Sequence, residues 1–258
     1  MRLSIVIPAY NEETLIGACI EAVKRSADAT HITPEDYEII VVNNASTDHT
    51  REIASSFGYV RVVDEPHKGL TRAKQAGYRA SSGDIIAHPD ADTLMPKAWL
   101  STVLSAFERD RELLAVTGPY VYYDLGAFKR LVATVFIFCG YLLHLFYQYF
   151  LGTGATIQGG NYAVRRSALN AIGGYDTSIE FYGEDTDLAK RISKIGKVRW
   201  TWSLVMYTSG RRFAAESMVT TGARYALNYF NVLFFAKPLT TEYTDIRPET
   251  GRSESAEK

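Results

Sequence analysis

The sequence predicts an α/β fold, with a single mostly parallel sheet and helices on both faces. Two observations carry this. Short apolar runs alternate with segments of helical periodicity through the first hundred residues or so, joined by short connections. Each apolar run also ends in a polar cluster. In parallel sheets ligands bind beyond the carboxyl ends of the strands, so these clusters are expected to converge in one crevice.

Residues 3–7 form the first apolar strand, which Pro8 ends. Ala9-Tyr10-Asn11-Glu12-Glu13 follows as a loop, with Asn11 as the expected helix cap, and Leu15, Cys19 and Val23 recur at helical spacing. Residues 38–42 are a second buried strand, ending at Asn43-Asn44-Ala45-Ser46-Thr47-Asp48. A helix over 49–57, a strand over 59–63 and a helix from Gly69-Leu70 to Ala80 continue the alternation. The fourth strand, 84–87, delivers His88-Pro89-Asp90-Ala91-Asp92. Two carboxylates so placed can offer hard oxygen ligands to a divalent cation. The first of them could equally cap the following helix.

The chain has 258 residues, 47% hydrophobic and 22% charged, enough for one large α/β domain or two small ones. Its 28 Lys and Arg nearly balance 29 Asp and Glu, so no basic field suggests a nucleic-acid partner. Cys19 and Cys139 lie far apart in apolar contexts and read as reduced thiols. Met1-Arg2 leads straight into a strand, with no secretory signal, and a cytoplasmic compartment is expected.

Three motifs in the first hundred residues, Ile7-Pro8-Ala9-Tyr10-Asn11-Glu12, Val41-Val42-Asn43-Asn44-Ala45-Ser46-Thr47-Asp48 and Asp90-Ala91-Asp92, resemble the opening motifs of family 2 glycosyltransferases in order and spacing. The resemblance continues through Gly159-Gly160-Asn161-Tyr162-Ala163-Val164-Arg165-Arg166, Gly173-Gly174-Tyr175-Asp176 and Gly183-Glu184-Asp185-Thr186-Asp187-Leu188, covering roughly residues 1–213. It implies the A-type glycosyltransferase fold, that of nucleotide-diphospho-sugar transferases. It also implies an inverting transfer from a UDP- or GDP-sugar to a hydroxyl acceptor. The expected division is a glycosyltransferase domain over 1–239 and a polar flexible tail over 240–258. Within the domain, 1–120 would bind the nucleotide sugar, 125–155 be an apolar helical insertion, 156–213 the acceptor and catalytic half, and 214–237 a C-terminal apolar helix.

By resemblance, Asp92 is the direct ligand of a Mg2+ or Mn2+ ion, which offsets charge on the departing diphosphate. Asp90 would hold the ribose or the metal's water. Pro8, Ala9, Tyr10 and Glu12 would line the nucleoside pocket, although Pro8 could simply end a strand and Glu12 complement a helix dipole. Asn44 stands where the family usually has Asp. It could read the base, since an amide both donates and accepts, or form a turn. Lys74 occupies the place of a base- or phosphate-contacting Arg, or else lies on a solvated helix face. Asp185 is the implied general base, with Glu184 and Asp187 orienting the site, against the alternative that the acids only cap a helix. Gly160 and Asn161 are expected at the donor sugar or acceptor, because small neighbours allow close approach. Arg211 and Arg212 could clamp a diphosphate or attract anionic lipid headgroups. Arg199-Trp200 lacks the rest of the Gln-x-x-Arg-Trp signature of processive synthases, which favours transfer of a single sugar.

Residues 131–151 are apolar and aromatic, and no Asp, Glu, Lys or Arg occurs from Leu131 to Val164. The length suits a membrane span. A single crossing would, however, put Asp90-Ala91-Asp92 and Asp185 on opposite sides of the bilayer. The segment is therefore expected to be buried, interfacial, re-entrant or part of a hairpin with the aromatic stretch 225–235. Flanking Lys129, Arg130, Arg165, Arg166, Arg211, Arg212 and Arg224 favour association with an anionic membrane surface at its cytoplasmic face, and hence a lipid-linked acceptor. A helical subdomain over the sheet and a homodimer interface are the alternatives. Of the rival functions, a nucleotidyltransferase would show a Gly-rich phosphate loop where Pro8-Ala9-Tyr10-Asn11 stands. A non-catalytic membrane adaptor would not need both acid sites. A dehydrogenase would need Gly-x-Gly-x-x-Gly after the first strand.

Overall fold

All seven residues of β1 (Leu3–Ala9) are buried, and a strand covered on both faces reads as a continuous apolar run. In the computed structural model, which describes residues 2–146, 156–179, 182–215, 218–235 and 239, β1 pairs in parallel with β2 (Tyr37–Asn43) and β4 (Ile85–Pro89). β3 (Val60–Asp64) extends the sheet beyond β2. Beyond β4 comes β8 (Asn161–Arg165), antiparallel to β4 and to β6 (Leu113–Thr117), and β9 (Lys197–Trp200) runs parallel to β6. The order is β3-β2-β1-β4-β8-β6-β9. The mostly parallel sheet expected from the sequence is thus present, and β8 wedges the second half of the chain between two strands of the first.

Alternation along β1 sends Leu3, Ile5 and Ile7 to one face and Val6 to the other. The first face is covered by α1 (Ile16–Thr30), α2 (Thr50–Ser55) and α4 (Trp99–Arg109). The second packs against α3 (Leu70–Ala80), α6 (Arg166–Ile172) and α7 (Glu184–Ser193). Asn11 does not cap α1, which starts five residues later. It adopts a left-handed φ of 49°, and its side chain accepts from Thr47 N at 2.8 Å and donates to Thr47 Oγ1 at 3.2 Å. The first polar cluster is therefore tied to the second.

A small second sheet stands over the carboxyl end of the main one. It contains β5 (Thr93–Leu94), β10 (Met206–Thr208) and β7 (Tyr120–Tyr122), in that order. α5 (Ala127–Phe146) follows β7, while α8 (Arg211–Ala215) and α9 (Met218–Phe235) follow β10. Among the described residues α5 is the one helix long and apolar enough to cross a membrane. Only Ala133 and His144 of it are buried, and Phe128, Leu131, Val135 and Phe138 are exposed. Its inner side, through Phe136, Ile137, Gly140 and Leu143, lines the same crevice as Asp90, Asp92 and Asp185. The helix therefore does not separate the two acid sites. Residues 147–155 of the predicted insertion and the tail at 240–258 lie outside the described residues.

Candidate active site

β4 ends at Pro89, and the next residues carry the first pair of acids. Asp90 O accepts from Thr93 Oγ1 at 2.7 Å and from Cys19 Sγ at 3.4 Å, which pins the turn to β5 and α1. Its carboxylate Oδ2 accepts from Tyr120 OH at 3.3 Å. Asp92 Oδ2 lies 3.1 Å from Arg211 Nη2, and the same guanidinium donates to Glu12 Oε1. Burial works against the charge of Arg211, but its two carboxylate partners outweigh this and raise its pKa.

The second pair of acids opens α7. Lys74 on α3 is fully buried and donates to Glu184 Oε1 at 2.7 Å and to Gly159 O at 2.8 Å. Burial pushes the Glu184 carboxyl up to about 7, opposed by the Lys74 ammonium and reinforced by Asp185. Burial likewise raises Asp185, again against Lys74. Asp185 Oδ1 accepts from Thr186 N at 2.8 Å. Asp187 faces away and pairs with Arg191 at 2.7 Å, one turn along the helix.

Gly159 and Gly160 bring the two acid groups together. A Cβ on Gly160 would lie 2.0 Å from Asp90 Oδ2 and 2.4 Å from Tyr120 OH. One on Gly159 would lie 3.0 Å from Glu184 Oε1 and 3.5 Å from Asp185 Oδ2. At Gly160 the chain passes so close to Asp90 that a side chain would force the carboxylate to move, and at Gly159 the fit is tight.

Pro8, Ala9, Tyr10, Glu12, Asn44, Asp90, Asp92, Gly160, Glu184, Asp185, Arg211 and Arg212 all line one crevice of about 400 Å³. Three expected site residues are placed otherwise than their expected roles need. Lys74 is neither on a solvated face nor at the crevice surface, because Glu184 and Gly159 take it up from below. Asn161 is fully buried beneath the crevice, where its amide bonds Trp99 Nε1 at 2.8 Å, Pro119 O at 3.0 Å and Leu204 O at 2.8 Å. It holds β8 to α4 and to the segments that lead into β7 and β10, and its side chain is not part of the crevice lining. Asn44 borders the crevice, but its amide is committed to the loop before α3. It donates to Glu65 O at 3.2 Å and His67 O at 2.8 Å, and accepts from Gly69 N at 2.8 Å. An aspartate could not make the two donations.

Sequence reasoning missed Lys68, Tyr120, Tyr122 and the crevice role of Trp200. Lys68 stacks its ammonium 4.0 Å from the ring centroid of Tyr10. The signal for the tyrosines was present in Tyr120-Val121-Tyr122, since alternation along a strand puts both rings on one face.

The donor set at Asp90 and Asp92 consists of two hard carboxylates. Among the described residues no group of three or more His, Cys, Asp or Glu forms a metal cage. That fits a Mg2+ or Mn2+ ion that takes its remaining ligands from phosphate oxygens and water, and does not fit a structural zinc site. The crevice itself has two walls. One is polar and rises from the ends of β1, β2 and β4. The other is apolar and aromatic, from α5, Trp200, Phe213 and Tyr225.

An α/β sheet with paired acids beyond its carboxyl edge is the A-type glycosyltransferase architecture. The profile described as "Glycosyl transferase family 2" matches residues 4–173, and the chain belongs to this family. It is 30% identical over 210 residues to the probable glycosyltransferase YdaM of Bacillus subtilis, covering 76% of this chain and 47% of that protein. The chain thus spans about half the length of that relative. Among solved structures it is similar to the mannosyltransferase PcManGT from Pyrobaculum calidifontis in complex with GDP-Man and Mn2+, with a TM-score of 0.68 and 21% identity over 91% of this chain and 63% of that one. Glucosyl-3-phosphoglycerate synthase from Mycobacterium tuberculosis, in complex with Mn2+, UDP and phosphoglyceric acid, gives a TM-score of 0.62 at 20% identity, over 91% of this chain and 78% of that one. At these identities the likeness shows the fold.

Proposed function

We propose that this chain transfers one sugar, with inversion, from a UDP- or GDP-sugar to a hydroxyl of a lipid-linked or cell-surface glycan precursor. The reaction would run at the cytoplasmic face of the membrane. The observation that carries the reading is the meeting of Asp90, Asp92, Glu184 and Asp185 across Gly159-Gly160 in one crevice. The two solved neighbours hold Mn2+ with GDP-Man or UDP, which supports a nucleotide-sugar donor and a divalent ion.

Asp92, with Asp90 beside it, would hold Mg2+ or Mn2+. That ion, when bound, supplies Lewis-acid stabilisation of the departing diphosphate. Pro8, Ala9, Tyr10 and Glu12 shape the nucleoside pocket, and Arg211 and Arg212 offer guanidinium donors to the diphosphate. Asp185 takes the proton of the acceptor hydroxyl as its oxygen bonds to the anomeric carbon. The bond from that carbon to the diphosphate oxygen breaks on the opposite face, and the configuration inverts. Lys74 anchors Glu184, and through it the first turn of α7 that carries Asp185.

The exposed apolar side of α5, next to Lys129 and Arg130, supports peripheral membrane attachment over burial in a helical subdomain. Hydrolysis or transfer from UDP- and GDP-sugars with Mn2+ tests the reading. Asp185→Asn should lower the rate by about 100-fold or more while stabilisation by Mn2+ and the nucleoside diphosphate persists. Full activity in Asp185→Asn would remove the base assignment. Inactivity of the parent chain towards every sugar nucleotide tried would remove the enzyme reading.

A further inference from the structure

Behind the aromatic wall lies a second, smaller chamber of about 60 Å³, lined by Tyr122, Val132, Ala133, Phe136, Ile137, Phe213, Gly222 and Tyr225. Five of these, Tyr122, Phe136, Ile137, Phe213 and Tyr225, also line the reaction crevice, so one wall of side chains serves both spaces. The Tyr122 and Phe213 rings, 5.1 Å apart edge to face, form part of that wall. The chamber lies between α5 and α9, on the side of α5 that carries the half-exposed Val132 and Phe136. Its shape depends on a missing side chain. Gly222 lines the chamber, and a Cβ there would sit 3.7 Å from Phe136 Cε2, so an added methyl meets the chamber lining in ordinary contact and takes up space in it.

We infer that this chamber binds the apolar chain of the acceptor, a lipid whose reacting hydroxyl lies in the crevice while its hydrocarbon displaces part of the shared side-chain wall and runs between α5 and α9. The inference rests on the reading of the crevice as a sugar-transfer site. No group lining the chamber carries a charge, and the tyrosines hold its only polar side-chain atoms, so an alkyl or isoprenoid chain is the matching chemistry. Its volume holds roughly four or five water-sized bodies, a short run of methylenes. The rest of the chain would leave along the exposed apolar side of α5, where a membrane would receive it.

The test uses n-alkyl β-glucosides of four to ten carbons, below their micelle concentrations, titrated calorimetrically into the whole chain with Mn2+ and UDP or GDP. The dissociation constant should fall about fourfold for each methylene that enters the chamber. Gly222→Val and Gly222→Leu should flatten that dependence, and Ala133→Leu should flatten it from the opposite wall. In each variant, stabilisation by Mn2+ and the nucleoside diphosphate reports that the chain is folded. Gly222→Ala, which fits without displacement, covers the case in which the larger variants fail to fold, and should weaken the longer glucosides several-fold. Equal slopes in the parent chain and in folded variants would overturn the inference, as would the absence of binding by any glucoside. A chain of this family that binds the glucosides as stated, yet neither hydrolyses nor transfers from sugar nucleotides, would instead fail the transfer reading and leave the chamber assignment standing.

Discussion

Glu184 is held in water-poor surroundings with an ammonium on one oxygen, while Oε2 has no hydrogen-bond partner among the described residues. Its raised pKa fixes the sign of its effect on stability. A carboxyl with a folded-state pKa above its ordinary 4.5 favours the fold most below that value, and the advantage is lost as pH rises through about 7. The parent chain should therefore lose thermal stability relative to Glu184→Gln between those two pH values, by at most about 3 kcal/mol. Paired melting curves across that window measure this, and parallel curves would show that Glu184 titrates normally. Asp185, raised by the same burial, should keep a dependence of the same sign in the variant. The acids were legible in the sequence because each pair follows a strand end or a glycine. The polar residues with other roles were not. Asn161 points away from the crevice because of strand parity, and that parity is set by its pairing with Pro89, seventy-odd residues earlier in the chain.

At the scale of elements, α5 was legible as an apolar helix, and the two acid sites were expected on one side of it, as their shared crevice has them. Which side of it faces the crevice was not legible, since that depends on its place against the small sheet and α9. Its outer side now offers a measurement. Leu131→Asp and Phe138→Asp, both at exposed positions, should reduce flotation with anionic vesicles severalfold and leave Mn2+–nucleotide stabilisation unchanged. Flotation that is unaffected, together with a concentration-dependent dimer in sedimentation, would assign this face to a second copy of the chain. The start of α1 was misread for a related reason. Asn11 has the chemistry of a cap, but Thr47 lies within its reach and the helix begins later.

For the whole molecule, the alternation of strands and helices specified the parallel half of the sheet, where neighbours in sequence are neighbours in space. It could not specify β8, whose partners β4 and β6 come from the other side of α5, nor the small sheet that sets Arg211 against Asp92. That last contact has a thermodynamic consequence. One guanidinium pairs with both Glu12 and Asp92, so a divalent ion held by Asp92 would compete with a resident cation for that carboxylate. If Asp92 holds the ion as proposed, metal entry would be an exchange, and the displaced arginine would be free to meet the phosphates of the nucleotide. Arg211→Gln should bind Mn2+ alone more tightly, by several-fold, yet bind Mn2+ with UDP or GDP more weakly than the parent chain. Calorimetric titration of each reads the two effects separately, and a change of the same sign in both would rule out the exchange. The arginine would thereby couple metal to nucleotide, and the site would favour the pair over either ligand alone.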